Sequence, residues 1–229
     1  MKRLYLTVEG QTEQVFATEL LQPHLANYSV AVVKPRLTGL NARRRGRIPR
    51  GGLFNSFERS MGDIRRWLLE DKSSDARFSM MVDYYSLPKD FPGYDEAMKL
   101  AHPTDRVTKL EAAVAEELGD PRFIPYVQLH EFEALILSQP QAFVDLFENV
   151  QKPTQLLKSD CDKFDSPEDI DEGHETHPKA RIKQHIPTYR EVIDGPMLAK
   201  KIGLTVIRRR CKHFDAWLTT LEQLDQSTI

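Results

Sequence analysis

Leu4-Tyr5-Leu6-Thr7-Val8 is a short β-type run, broken by Gly10 before Thr12 opens a stretch with Val15, Phe16, Leu20, Leu21 and Leu25 at helical spacing. Ser29 to Leu37 predicts a second strand. The Gly- and Arg-rich segment from Thr38 to Gly52 has no apolar periodicity and reads as an exposed loop. Phe54, Phe57, Met61, Ile64 and Leu68 then mark one side of an amphipathic helix. Phe78 to Val82 is almost continuously apolar, as expected of a strand buried on both faces. Val107, Leu110, Val114 and Leu118 stripe another helix, which Gly119 and Pro121 bring to a stop. A fourth strand is expected to end at Leu129 and to pass straight into a helix over Phe132 to Leu137.

Strand and helix therefore alternate, which predicts an α/β fold with a mostly parallel four-stranded sheet flanked by helices and joined by right-handed crossovers. Beyond about residue 150 the pattern changes. The acidic stretch from Asp160 to Glu175 reads as irregular, and the rest as short helices, the last from His213 to Leu224. The expected division is an α/β domain over residues 1–150 and an irregular and helical C-terminal extension, 151–229, packed on it.

Chemistry enters at the strand ends. Glu9 and Glu13 follow the first strand, Asp83 the third, and Glu131 and Glu133 the fourth. In an open parallel sheet, functional groups gather beyond the carboxyl ends of the strands. Carboxylates from three strand ends would converge on one crevice and repel one another, so the pattern calls for a hard cation, Mg²⁺ or Mn²⁺. Gly10 permits a sharp exit from the strand, leaving Glu9 at its end and Glu13 in the first helical turn. The competing reading is that Glu13 only complements the helix dipole and Asp83 only caps a turn. In His130-Glu131-Phe132-Glu133, a continuous helix would put His130 and Glu133 on one face and Glu131 on another. Glu131 or Glu133 is therefore expected at the site, with His130 structural.

Composition changes the picture little: 40% hydrophobic and 29% charged residues are ordinary for a globular protein. The two cysteines, Cys161 and Cys211, are too few for a disulfide framework. With no bilayer-length apolar stretch and no signal-peptide pattern, the expectation is a cytoplasmic protein without membrane attachment. The net charge of −2 conceals segregation, since Arg43, Arg44, Arg45, Arg47 and Arg50 crowd into one segment. Such a segment could grip a polyanion or be a solvated loop. A zinc site from His174, His177, Cys211 and His213 would have loose spacing and is disfavoured. Neither a Walker-type phosphate loop nor a Gly-x-Ser-x-Gly elbow occurs, which leaves metal-assisted chemistry as the supported enzymatic option.

Val8-Glu9-Gly10-Gln11-Thr12-Glu13 resembles the opening motif of Toprim domains, especially those of OLD-type nucleases. More closely, the chain resembles the Toprim-like domain-of-unknown-function family 4276. The resemblance is carried by Asp83-Tyr84-Tyr85-Ser86-Leu87-Pro88, Phe91-Pro92-Gly93, His130-Glu131-Phe132-Glu133-Ala134-Leu135, Pro167-Glu168-Asp169-Ile170, Thr176 to Ile182 and Cys211 to Leu218. It implies a Toprim/Rossmann-like fold, with Glu9 as general acid/base or metal ligand, Glu13 as a further ligand and Asp83 as the first acid of an Asp-x-Asp pair. Tyr85 stands where the second acid would be, so Glu131, Glu133, Asp90 or Asp95 would have to complete the site. The implied activity is metal-dependent phosphodiester hydrolysis, in which Lys179, Arg181 and Lys183 offset charge on the scissile group and the Arg43–Arg50 segment holds phosphates. Implied partners are a nucleic acid and an ABC- or SMC-like ATPase, as in anti-phage defence, and a homo-oligomer is compatible with this reading. The alternative is a non-catalytic Toprim-like module that binds such an ATPase or a nucleic acid.

Overall fold

The computed structural model describes residues 1–37, 56–170 and 176–226. It is a mixed α/β fold built on a parallel sheet. Strands β1 (Lys2–Val8), β2 (Val30–Leu37), β3 (Ala76–Asp83) and β4 (Phe123–Ile124) lie in the order β2-β1-β3-β4, and β5 (Val127–Gln128) pairs with β3 beyond β4. All pairings are parallel, with Val8 opposite Met81 where β1 meets β3. The chain winds outward from β1 to β2, then returns to lay β3 on the other side of β1. The strand order therefore reverses at β1/β3, where open parallel sheets form a crevice.

Period-two alternation sorts side chains to the two faces of the sheet. Leu4, Leu6 and Val8 join one apolar cluster, with Phe16 and Leu21 of the first helical run and Leu198, Phe214 and Leu218 from the C-terminal part. Phe78, Met80 and Val82 join the other, with Ile64, Leu68, Leu110 and Val114. These last residues belong to α4 (Gly62–Glu70) and α6 (Pro103–Leu118); α3 (Phe57–Ser60) and α5 (Tyr94–Ala97) lie between strands β2 and β4 in the chain. Gly119 ends α6 in the left-handed region, φ 61°, as the sequence predicts.

Two elements differ from expectation. The first helical run is interrupted: α1 (Gln11–Phe16) passes through a π-helical turn, Ala17–Leu21, into α2 (Gln22–Ala26). Pro23 lacks the N–H that would continue the α ladder, and the wider turn adjusts to it. The fourth strand is two short pieces, because Pro125 cannot donate to the ladder. Ser79 Oγ, 2.6 Å from the carbonyl of Ile124, bonds to the backbone at that break.

The C-terminal part is more helical than the sequence predicts. After α7 (Glu133–Ile136), which the sequence predicts, it comprises α8 (Gln151–Cys161), α9 (Pro178–His185), α10 (Glu191–Ile202), α11 (Leu204–Arg210) and α12 (Lys212–Glu222). Asp160 lies in the last turn of α8 rather than in irregular chain, and Glu168 and Asp169 occupy a 3₁₀ turn. The buried Glu168 carboxylate accepts the amides of His213 and Phe214 at 2.9 and 3.0 Å, capping α12 from a distance. Among the described residues, no helix is long and apolar enough to cross a membrane.

Candidate functional site

Glu9 and Asp83 leave adjacent parallel strands at the switch between β1 and β3. The Glu9 amide still bonds to Met81 O at 3.1 Å, and Glu9 Oε2 accepts the Asp83 amide at 2.9 Å. The same oxygen accepts a short hydrogen bond from Ser86 Oγ, in the 3₁₀ turn Tyr84–Ser86 that follows β3. Glu13 folds back from the first turn of α1 and accepts the Gly10 amide at 2.8 Å. A Cβ on Gly10 would lie 2.9 Å from Glu13 Oε2, so glycine is what lets the carboxylate close on this backbone.

Asp83 Oδ1 is enclosed and has no hydrogen-bond partner. Desolvation raises the Asp83 pKa well above the ordinary carboxylate range, and the charges of Glu9, Glu13, Glu131 and Glu133 add to it. Glu13 is pushed to about 7, chiefly by burial and then by Glu9. Glu9 is raised by burial against the opposing hydrogen bonds from Ser86 and Asp83.

The fourth strand delivers the other two acids through a sharp bend. His130, fully buried, adopts φ 62°, breaking the path that a continuous strand-to-helix run would follow. Glu131 therefore precedes α7 and Glu133 opens it, and both turn inward at 6% and 2% exposure. Glu131 Oε1 lies 2.7 Å from His177 Nδ1 and accepts the Lys179 amide at 2.5 Å. Its other oxygen is 3.6 Å from Lys179 Nζ, which also pairs with Glu191 at 2.7 Å. Glu133 accepts from the Tyr189 hydroxyl at 3.1 Å, and burial pushes its pKa to about 8. Desolvation would lower the Lys179 pKa, but Glu133, Glu131 and Glu191 outweigh it and hold the ammonium charged.

The sequence-predicted acids thus interact in one region, with Lys179 at its edge. Arg181 differs from its expected phosphate-contacting place. It is 5% exposed, donates to Thr176 O at 2.6 Å and lies over the Phe164 ring. Lys183 is exposed. Arg43, Arg44, Arg45, Arg47 and Arg50 lie outside the described residues. Asp90 instead accepts the Phe57 amide at 3.1 Å. His177 and His213 engage different carboxylates, Glu131 and Glu111, and Cys211 is buried against Ala134 O.

Ser86, Tyr189 and Glu191 are not among the expected residues, and His177 figures there only in the disfavoured zinc site. Ser86 had a local signal, three residues after Asp83 in a turn; the others reach the site only through chain-distant packing. Among the described residues, no three His, Cys, Asp or Glu groups stand in an arrangement that would hold a metal ion. Four of the five carboxylates are instead turned onto protein donors, Asp83 being the exception.

Comparison with curated proteins finds no match. Among solved structures, two of the C-terminal region of the Xanthomonas campestris pv. campestris OLD protein, phased with platinum and with iodine, are similar to this chain. Their identities are 14% and 13%, with TM-scores of 0.35 and 0.34; the matches cover 96% of this chain and 95% and 97% of theirs. The match that spans this site is that of a family described only as a domain of unknown function, DUF4276, which covers residues 8–222 and so takes in every acid described above. The chain belongs to that family.

Proposed function

We propose that the chain is a divalent-metal-dependent, Toprim-like nuclease that hydrolyses phosphodiester bonds at the β1/β3 crevice. The carrying observation is Asp83 Oδ1, enclosed, unpartnered and surrounded electrostatically by four further carboxylates. A buried carboxylate in that setting must take up a proton or a cation near neutral pH. The donor set is all hard oxygen, which fits Mg²⁺ or Mn²⁺. Glu9, Glu13 and Asp83 would hold the ion, and Glu131 and Glu133 would extend the set, once the carboxylates that now accept from protein donors rotate toward it. The bound cation supplies activation of a water and polarisation of the phosphoryl oxygen. Lys179, held charged beside Glu131, is suited to offset negative charge on the scissile phosphate.

Calorimetric Mn²⁺ titration of the wild type beside Glu9→Gln and Asp83→Asn tests this reading, followed by a nuclease screen of DNA and RNA. Saturable binding in the wild type, weakened at least about tenfold in either amide variant of unchanged circular dichroism, is the expected result. Wild type that binds no divalent ion and cleaves nothing overturns it. The engagement of the acids by protein donors favours a second reading, a non-catalytic module for a nucleic acid or an ABC- or SMC-like ATPase. Partner capture undiminished by Glu9→Gln and Asp83→Asn would support that alternative. Action in the cytoplasm, a role in anti-phage defence and assembly as a homo-oligomer belong to the same proposal.

A further inference from the structure

Tyr85 is 44% exposed, yet its backbone is fixed on both sides. The Asp83 amide before it bonds to Glu9 at 2.9 Å, and its own amide bonds to His130 O at 3.2 Å. After it, Ser86 Oγ bonds to Glu9 and to Asp83 O, the latter at 2.9 Å. Its ring is flanked by His130 at 5.3 Å, tilted by 41°, and by His177 at 5.9 Å, nearly perpendicular at 76°. His177 is itself tied to Glu131. The protein therefore presents a large aromatic surface to solvent in a settled position, in the turn that leaves the proposed metal-binding acid.

We propose that Tyr85 is a stacking platform for an unpaired nucleobase, so that the site prefers single-stranded or frayed nucleic acid to intact duplex. This inference rests on the reading of the site as a phosphodiesterase. A phosphodiester held at the carboxylates has its nucleobase one sugar away, on the scale of the two-residue step from Asp83 to Tyr85. In a duplex the π-faces are covered by neighbouring base pairs, whereas an unpaired base offers one to an aromatic ring. Base–aromatic stacking tolerates any base and contributes substantially to affinity for single strands. The ordering cost is low because hydrogen bonds fix the backbone of the Tyr84–Ser86 turn and His130 and His177 flank the ring. The acidic surroundings would repel a bare phosphate, so a hard cation is required to bring the strand in.

The test is fluorescence anisotropy of a labelled oligothymidylate and of a hairpin duplex of equal charge, in Ca²⁺, with wild type, Tyr85→Ala and Tyr85→Trp. Wild type should bind the single strand more tightly. Tyr85→Ala should weaken that binding by about 5- to 100-fold while changing duplex affinity less than twofold, and Tyr85→Trp should restore it. Equal affinity of Tyr85→Ala and wild type for oligothymidylate overturns the inference, as does equal loss for both ligands. Should Tyr85→Ala fail to fold, Tyr85→Trp decides, because stacking would quench its added indole emission on oligothymidylate and absence of quenching overturns the platform. Wild type that binds neither ligand also overturns it. The Mn²⁺ titration separately shows whether the carboxylate site survives that outcome.

Discussion

Glu133 is almost excluded from solvent, accepts one hydrogen bond from Tyr189, and has its pKa pushed to about 8. Glu13 is pushed to about 7 by the same cause. A carboxyl raised on folding makes the native state bind more protons than the unfolded chain between the two pKa values. Stability from such groups is complete below the unfolded value and is lost as pH rises through the folded one. Metal-free protein should accordingly melt roughly 5 °C lower at pH 8.5 than at pH 5. Glu133→Gln should reduce that fall, and Mn²⁺ added to the wild type at pH 8.5 should reverse part of it. Scanning calorimetry across pH checks this, and a Tm indifferent to pH would contradict it. The acids themselves are legible because each lies at the end of an apolar run or within a few residues of it. Their partners are not, because nothing local in the sequence announces that Tyr189 will meet Glu133 or His177 will meet Glu131.

Elements with a single strong period were also legible: β1, β3 and α6 fall where the apolar pattern puts them. The pattern fails where a backbone constraint intervenes. Pro125 splits the fourth strand, and the left-handed His130 lets Glu131 and Glu133 both turn inward, which an uninterrupted helix would forbid. Gly195 is a third such constraint. It lies within α10, where a Cβ would come 3.0 Å from the Tyr189 hydroxyl and 3.3 Å from both Phe132 Cε1 and Thr12 Cγ2. Alanine here gains about 1 kcal/mol of helix propensity but overpacks a buried contact at about 1–3 kcal/mol. Gly195→Ala should therefore lower the urea midpoint and, by displacing the Tyr189 hydroxyl, disturb Glu133. A raised midpoint would mean that the neighbours yield and that propensity decides.

Across the molecule, the sheet and the C-terminal helices share one interior. Leu4 and Leu6 of β1 lie in the same buried cluster as Ile182, Leu198, Phe214 and Leu218. Trp217 of α12 stacks on Tyr126 with centroids 4.4 Å apart and donates to Ser79 Oγ of β3 at 3.1 Å. His24 and Arg208 both engage Glu222, linking the first helical run to the last. The change in sequence character near residue 150 thus coincides with no gap in the packing, since Tyr126 and Leu135 on one side of it touch a core continued on the other. Lys179 and Tyr189, which contact the acids, and Glu191, which pairs with Lys179, also come from beyond that point. If the site needs both parts, they should lose structure together. Calorimetric and van't Hoff enthalpies should agree, and near- and far-ultraviolet dichroism should share a midpoint. Trp217→Ala should cost about 3–5 kcal/mol of that single transition. Two resolved transitions, with Trp217→Ala shifting only one, would show instead that the C-terminal helices unfold independently of the sheet they cover.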